Sequence, residues 1–173
     1  MDRNVNVITD LDGRKIVLIN DIRFKGRKRE EWKIIETYLR EYVGQFYEIE
    51  ESSEKIYIAA DFPDEFANSD SRLALKKAVS KAKANAAIGI PELIQVATNG
   101  MHEKNIKKKH EKDAKYGWYR YEVNFALPVY DDNKEYVIRY NVYQAKMLVR
   151  HSDDGRKYLY DFISIKKGNE QPA

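Results

Sequence analysis

Cysteine is absent from the 173-residue chain, which excludes a disulfide framework and any thiolate metal site. Histidine is nearly as scarce. His102, His110 and His151 stand at neither HxxxH nor HExxH spacing with a carboxylate, so neither a metal centre nor a cofactor is expected. No apolar run is long enough to span a bilayer, and no basic-then-apolar leader follows Met1, so a cytoplasmic protein without membrane contact is expected. Also missing are a GxGxxG or GxxxxGKS/T phosphate loop, a GxSxG elbow and a Cys–His pair. Those absences remove nucleotide-loop, esterase-type and thiol chemistries. Paired carboxylates do occur at Asp131–Asp132 and Asp153–Asp154, but in turn-forming stretches, where solvated turn chemistry accounts for them better than glycoside hydrolysis or metal binding.

What is present is charge, unevenly distributed. Charged residues make up 34% and apolar residues 43% of the chain, enough for a well-solvated surface over a real core. The net charge of +3 conceals a split: residues 1–70 hold 11 Lys and Arg against 16 Asp and Glu, whereas residues 71–173 hold 20 against 12. A basic second half suits a polyanionic partner, RNA among them, although a solubilising surface would carry the same charge.

The pattern of apolar residues divides the chain into an N-terminal β-α-β-β accessory unit over 1–60 and an α+β domain over 61–173. A strand is predicted at Lys15–Ile19 after the Asp12-Gly13 turn, then a helix over Arg27–Val43 on the spacing of Trp32, Ile35, Leu39 and Tyr42. A hairpin of Phe46–Glu50 with Lys55–Ala60 follows, and Asp61–Asp70 reads as an irregular connector. The next helix runs to about Ile88, with Leu75, Val79, Ala82 and Ala86 inward and Lys76, Lys77, Lys81 and Lys83 outward; Pro91–Thr98 forms a second. From Gly117 the period becomes two, and an antiparallel sheet of three or more strands is predicted, packed by one face on the helices.

That alternation places Arg120, Glu122 and Asn124 opposite Tyr121, Val123 and Phe125, and the same logic assigns Arg139, Asn141 and Tyr143 to the open face. Arginine forks grip phosphate, and tyrosine or tryptophan faces such as Trp118 stack on unpaired bases. Beside the sheet in sequence, Lys104 and Lys107–Lys109 are bracketed by His102 and His110, and His151 follows Arg150. An imidazole near lysines supplies a proton acceptor and fixed positive charge, the two needs of metal-free RNA cleavage. A solvated basic loop has the same composition.

The strings KANA at 83–86, KHEKDAKYGWYRY at 109–121, RYN at 139–141, RH at 150–151 and LYD at 159–161 resemble the large polyvalent-protein-associated domains of bacterial mobile elements and phages. Those domains are grouped with nucleases of the barnase–EndoU–colicin E5/D–RelE (BECR) type. The resemblance covers about Asp61–Lys167 and implies two helices followed by a four-stranded antiparallel sheet. It also implies a metal-independent endoribonuclease-like module, met as a toxin or effector, with RNA such as tRNA as substrate and an immunity or mobile-element protein as partner. On the matching positions it implies His110 as general acid/base with His151 as counterpart, Arg120 and Arg139 on the scissile phosphate, and Tyr160 orienting or stacking. Lys109, Trp118, Asn141, Tyr143 and Arg150 are then the substrate-binding set. The other expectations are a non-catalytic module that binds RNA or protein, and a structural domain with a solubilising surface.

Overall fold

The computed structural model describes residues 3–173 and is α+β. Its strands are β1 (Val5–Thr9), β2 (Lys15–Ile19), β3 (Phe46–Glu48), β4 (Lys55–Tyr57), β5 (Thr98–Glu103), β6 (Trp118–Tyr130), β7 (Val137–His151) and β8 (Lys157–Pro172). Its helices are α1 (Arg29–Leu39), α2 (Phe62–Asn68), α3 (Asp70–Leu73), α4 (Lys77–Ala86) and α5 (Ile90–Val96). All the strands belong to one sheet, ordered β1-β2-β6-β7-β8-β4-β3, with β5 paired to β6.

The sheet is mixed rather than antiparallel throughout. β2 runs parallel to β6 through Val17↔Phe125, and β4 parallel to β8 through Ile56↔Lys157. These pairings join residues 1–60 to residues 61–173 within one sheet. A single core cluster also crosses that division, holding Trp32, Ile35 and Leu39 of α1 together with Leu93, Phe125 and Phe162. Core residues of α1, α2, α4 and α5 pack against one face, and α2 and α3 also border the cleft that holds Trp118 and Arg120. On the other face, Ile16, Leu18, Ala126 and Val142 form a small second cluster.

Several expectations are corrected. The expected connector over Asp61–Asp70 is largely helical: Pro63 suits the first turn of α2, Asp64 and Glu65 favour its N-terminus, and Phe62 and Phe66 bury one turn apart. Ser69 then caps α3, accepting from the Arg72 backbone N–H at 3.2 Å. The single helix expected to run to about Ile88, with Ser69, Asp70 or Ser71 as its cap, is broken between Leu73 and Lys77, where Lys77 takes φ +51°. β1 and β5 were not foreseen; both are short, and β5 is also polar and exposed.

The largest correction concerns β7. Phe125 pairs with Tyr143, Leu127 with Asn141 and Val129 with Arg139. Directly paired residues lie on one side of a sheet. Arg139, Asn141 and Tyr143 therefore share the core face, where Tyr143 is buried and stacks on Phe125 at 5.7 Å between ring centres. Arg120 lies on the opposite face, across from Leu148. Lys83 is corrected as well: expected outward on α4, it is fully buried.

Candidate functional site

β6 is preceded by a glycine that its surroundings require. Gly117 sits at φ +97°, and a Cβ there would meet the Glu103 carbonyl oxygen and His102 Nε2, each at 2.6 Å. Gly117→Ala should therefore lose about 1–3 kcal/mol of stability in a urea titration, since the backbone atom in its way has nowhere to move. This turn matters because it delivers Trp118 and Arg120 to a cleft of about 480 Å³.

One wall of the cleft is the Glu103–His110 segment with Trp118 and Arg120. The facing wall comes from α2, α3 and β8, with Glu65, Ser69, Asp70 and Tyr160. The first wall carries Lys104, Lys107 and Lys109, and the second carries carboxylates. A nucleotide lying across such a cleft has somewhere to put a phosphate and somewhere to put base N–H groups.

His110 is only 8% exposed. Its Nδ1 lies 3.0 Å from both carboxylate oxygens of Asp113. A carboxylate accepts, so Nδ1 carries the hydrogen and Nε2 is the basic nitrogen of the neutral ring. Trp118 and Tyr160 meet the imidazole edge-on at 5.0 and 5.5 Å, and meet one another at 5.0 Å. These contacts fix the ring's tilt while Asp113 fixes its tautomer. Burial, with the Glu65 carboxylate as hydrogen-bond acceptor, pushes the Tyr160 phenol well above its ordinary value.

Asn105, which sequence reasoning passed over, organises the lysine-rich wall. Its Oδ1 accepts from the Trp118 indole at 3.1 Å, and its Nδ2 donates to the carbonyls of Lys107 and His110 at 3.0 and 3.2 Å. One amide thus ties the loop to the Trp118 indole and to the backbone of His110. The only prior signal was an Asn inside a charged run, where an Asx turn is a common outcome.

The other expected site residues are not all brought here. His110, Lys109, Trp118, Arg120 and Tyr160 line the cleft. Arg120 is partnered by Glu103 at 3.2 Å. Arg150 is buried: it donates to the Asp113 carbonyl at 3.1 Å and to Asp61 at 3.2 Å, so it braces the His110–Asp113 turn from beneath. His151 instead packs against Tyr116 and Tyr119 at 5.1 and 6.0 Å, with Nε2 donating to the Gly155 carbonyl at 3.2 Å. Arg139 lies nine residues along β7 from the partner of Arg120, on the order of 30 Å away at about 3.3 Å per residue, and pairs with Glu170 at 3.3 Å. Asn141 and Tyr143 accompany it on the core face. The expected convergence of His110, Arg120 and Arg139 is thus replaced by His110 with Arg120 alone.

Beneath the cleft, Lys83 Nζ bonds Asp161 at 2.8 Å, and both residues are sealed from solvent. Ser69 Oγ and the Phe162 backbone N–H also donate to Asp161, at 3.0 and 2.8 Å. Burial pushes Lys83 down and Asp161 up from their ordinary values, against the attraction between them. Among the described residues no group of three or more His, Asp or Glu side chains is placed to hold a metal ion. Nor is any helix of the described residues long and apolar enough to cross a membrane.

No protein-family model, curated protein or solved structure matches the chain.

Proposed function

We propose that the chain is a metal-independent endoribonuclese-like protein of the BECR kind, acting in the cytoplasm on RNA such as tRNA within a bacterial mobile-element or toxin system. The observation that carries this is the His110–Asp113 pair on the wall of a cleft that also holds Lys109, Arg120 and Tyr160. In the reaction, the ribose 2′-oxygen attacks the adjacent phosphorus and its proton passes to His110 Nε2. The bond from phosphorus to the 5′-oxygen breaks, and that oxygen takes a proton from water, whose hydroxide then removes the proton from His110 Nε2, while Tyr160 orients or stacks on the substrate. The products are a 2′,3′-cyclic phosphate and a 5′-hydroxyl end. Arg120 and Lys109 stabilise the charge that builds on the phosphorane. An immunity protein, if the system has one, would cover this cleft.

A non-catalytic RNA-binding module is favoured by two other observations: Glu103 engages Arg120, and His151 lies outside the cleft. Incubating purified protein with total RNA in EDTA separates the two. The nuclease should yield fragments ending in 2′,3′-cyclic phosphate. Retained binding without cleavage across a broad RNA panel would establish the binding module instead.

A further inference from the structure

The cleft is one end of a longer feature. Trp118 pairs with Arg150, Arg150 with Tyr158, Tyr158 with Tyr57 and Tyr57 with Phe46. Paired residues project from the same side of a sheet, so these five side chains form one row across β6, β7, β8, β4 and β3. From Arg150 outward the row is continuous. Arg150 lies over the Tyr158 ring at 4.4 Å, Tyr158 and Tyr57 are 6.0 Å apart, and Tyr57 and Phe46 are 5.3 Å apart.

Cations are interleaved with the rings. Arg156 lies over Tyr57 at 4.6 Å and Lys55 over Phe46 at 5.2 Å, and both are exposed. Phe46, at the outer end, is 47% exposed. The outermost ring leaves nearly half its surface to solvent, which packing alone does not account for. Asp154 holds the Tyr158 hydroxyl and the Arg156 backbone N–H, which fixes the tilt of that ring.

We infer that the row Phe46–Tyr57–Tyr158 is a track for single-stranded RNA, on which successive bases stack while Arg156 and Lys55 take the phosphates, and that it feeds the strand into the cleft at Trp118. The inference rests on the cleft being an RNA site, and it extends that site to the N-terminal strands. Base stacking on aromatic rings and on guanidinium planes is tolerant of sequence, whereas a duplex hides its base faces and offers the row nothing to stack on. The track therefore selects strandedness and length, not sequence.

The test uses full-length protein and fluorescent 2′-O-methyl RNA, which lacks the hydroxyl nucleophile, so binding is read apart from cleavage. Probes of about three and about twelve nucleotides are compared, the longer also as a duplex, since track and cleft together exceed the shorter probe's reach. The longer single strand should bind well ahead of both the shorter probe and the duplex. Phe46→Ala and Arg156→Ala should each reduce the advantage of the longer probe by between about fivefold and about a hundredfold. Arg156→Ala should also lower the salt slope by about 0.7. Phe46 and Arg156 are exposed, so these variants remain informative if Tyr57→Ala fails to fold. Equal affinity for both lengths, equal affinity for the duplex, or an unchanged advantage in both variants overturns the track. If unmodified RNA is cleaved while the length advantage is missing, the cleft stands and the track falls. If no RNA is cleaved but the variants lose the longer probe, the track stands and the nuclease falls.

Discussion

His110→Ala should lower the rate of RNA cleavage by about 10²–10⁴-fold, while Arg139→Ala, far along β7 on the opposite face, should stay within about twofold of wild type. The contrast follows from placement. His110 Nε2 is the basic nitrogen because Asp113 holds the hydrogen on Nδ1 from both oxygens at 3.0 Å, and the cleft supplies no other imidazole among the described residues. Arg120→Ala removes fixed charge from the phosphorane and should cost on the order of 10²-fold. Asp113→Asn acts through His110 rather than on RNA. It should lower kcat by on the order of tenfold while leaving KM nearly constant, because it alters the tautomer and orientation of the base and no contact with substrate. Single-turnover cleavage in EDTA measures all four variants. A His110→Ala protein that cleaves as fast as wild type would remove imidazole catalysis from the proposal, and a large Arg139→Ala defect would place the reacting phosphate elsewhere.

The divergence of Arg120 from Arg139 also shows which part of the site was legible in the chain. The alternation within β6 reads directly from Tyr121, Val123 and Phe125, because side chains along one strand follow a period of two whatever lies beside it. Register between strands has no such local signature. Both faces of β7 carry apolar groups: Ala145, Met147 and Val149 toward the helices, Val142 toward the second cluster. The phase of its pattern is therefore ambiguous, and the pairing of Tyr143 with Phe125 decides it. The parallel contacts of β2 with β6 and β4 with β8 link residues about a hundred positions apart, beyond what any window of sequence conveys. They are also what brings Tyr57 beside Tyr158. β5 was obscured by its composition, Thr-Asn-Gly-Met-His-Glu, which reads as a turn. Lys83 was misplaced for a different reason. α4 is buried on most sides around Ala82, Ala84, Asn85 and Ala86, so an amphipathic period gives the wrong answer for the charged residue among them.

That buried lysine carries the second large effect, on stability. Asp161→Asn should destabilise the protein by about 3–5 kcal/mol, because it leaves Lys83 sealed from water without its counter-charge. Lys83→Met alone should cost less, since Ser69 and the Phe162 N–H still donate to Asp161. The double variant Lys83→Met/Asp161→Asn should return to within about 1 kcal/mol of wild type: it removes both charges, and the Asn oxygen still accepts from the Phe162 N–H. The pKa directions agree with this order. Asp161 is raised, so its contribution to stability is fully present below the ordinary aspartate value and is lost as pH rises through its folded value. Lys83 is lowered, so its contribution is present above the ordinary lysine value and is lost as pH falls through its folded value. Burial thus opposes the charged form of each group, and that burial cost is what the double variant removes. Urea titrations of the four proteins at neutral pH measure the coupling. Losses that simply add in the double variant would mean that Lys83 and Asp161 do not act as a pair. If they do, the bond that holds α4 to β8 serves orientation more than stability: through Ser69 it sets where α3 stands, and with it the acidic wall that faces His110.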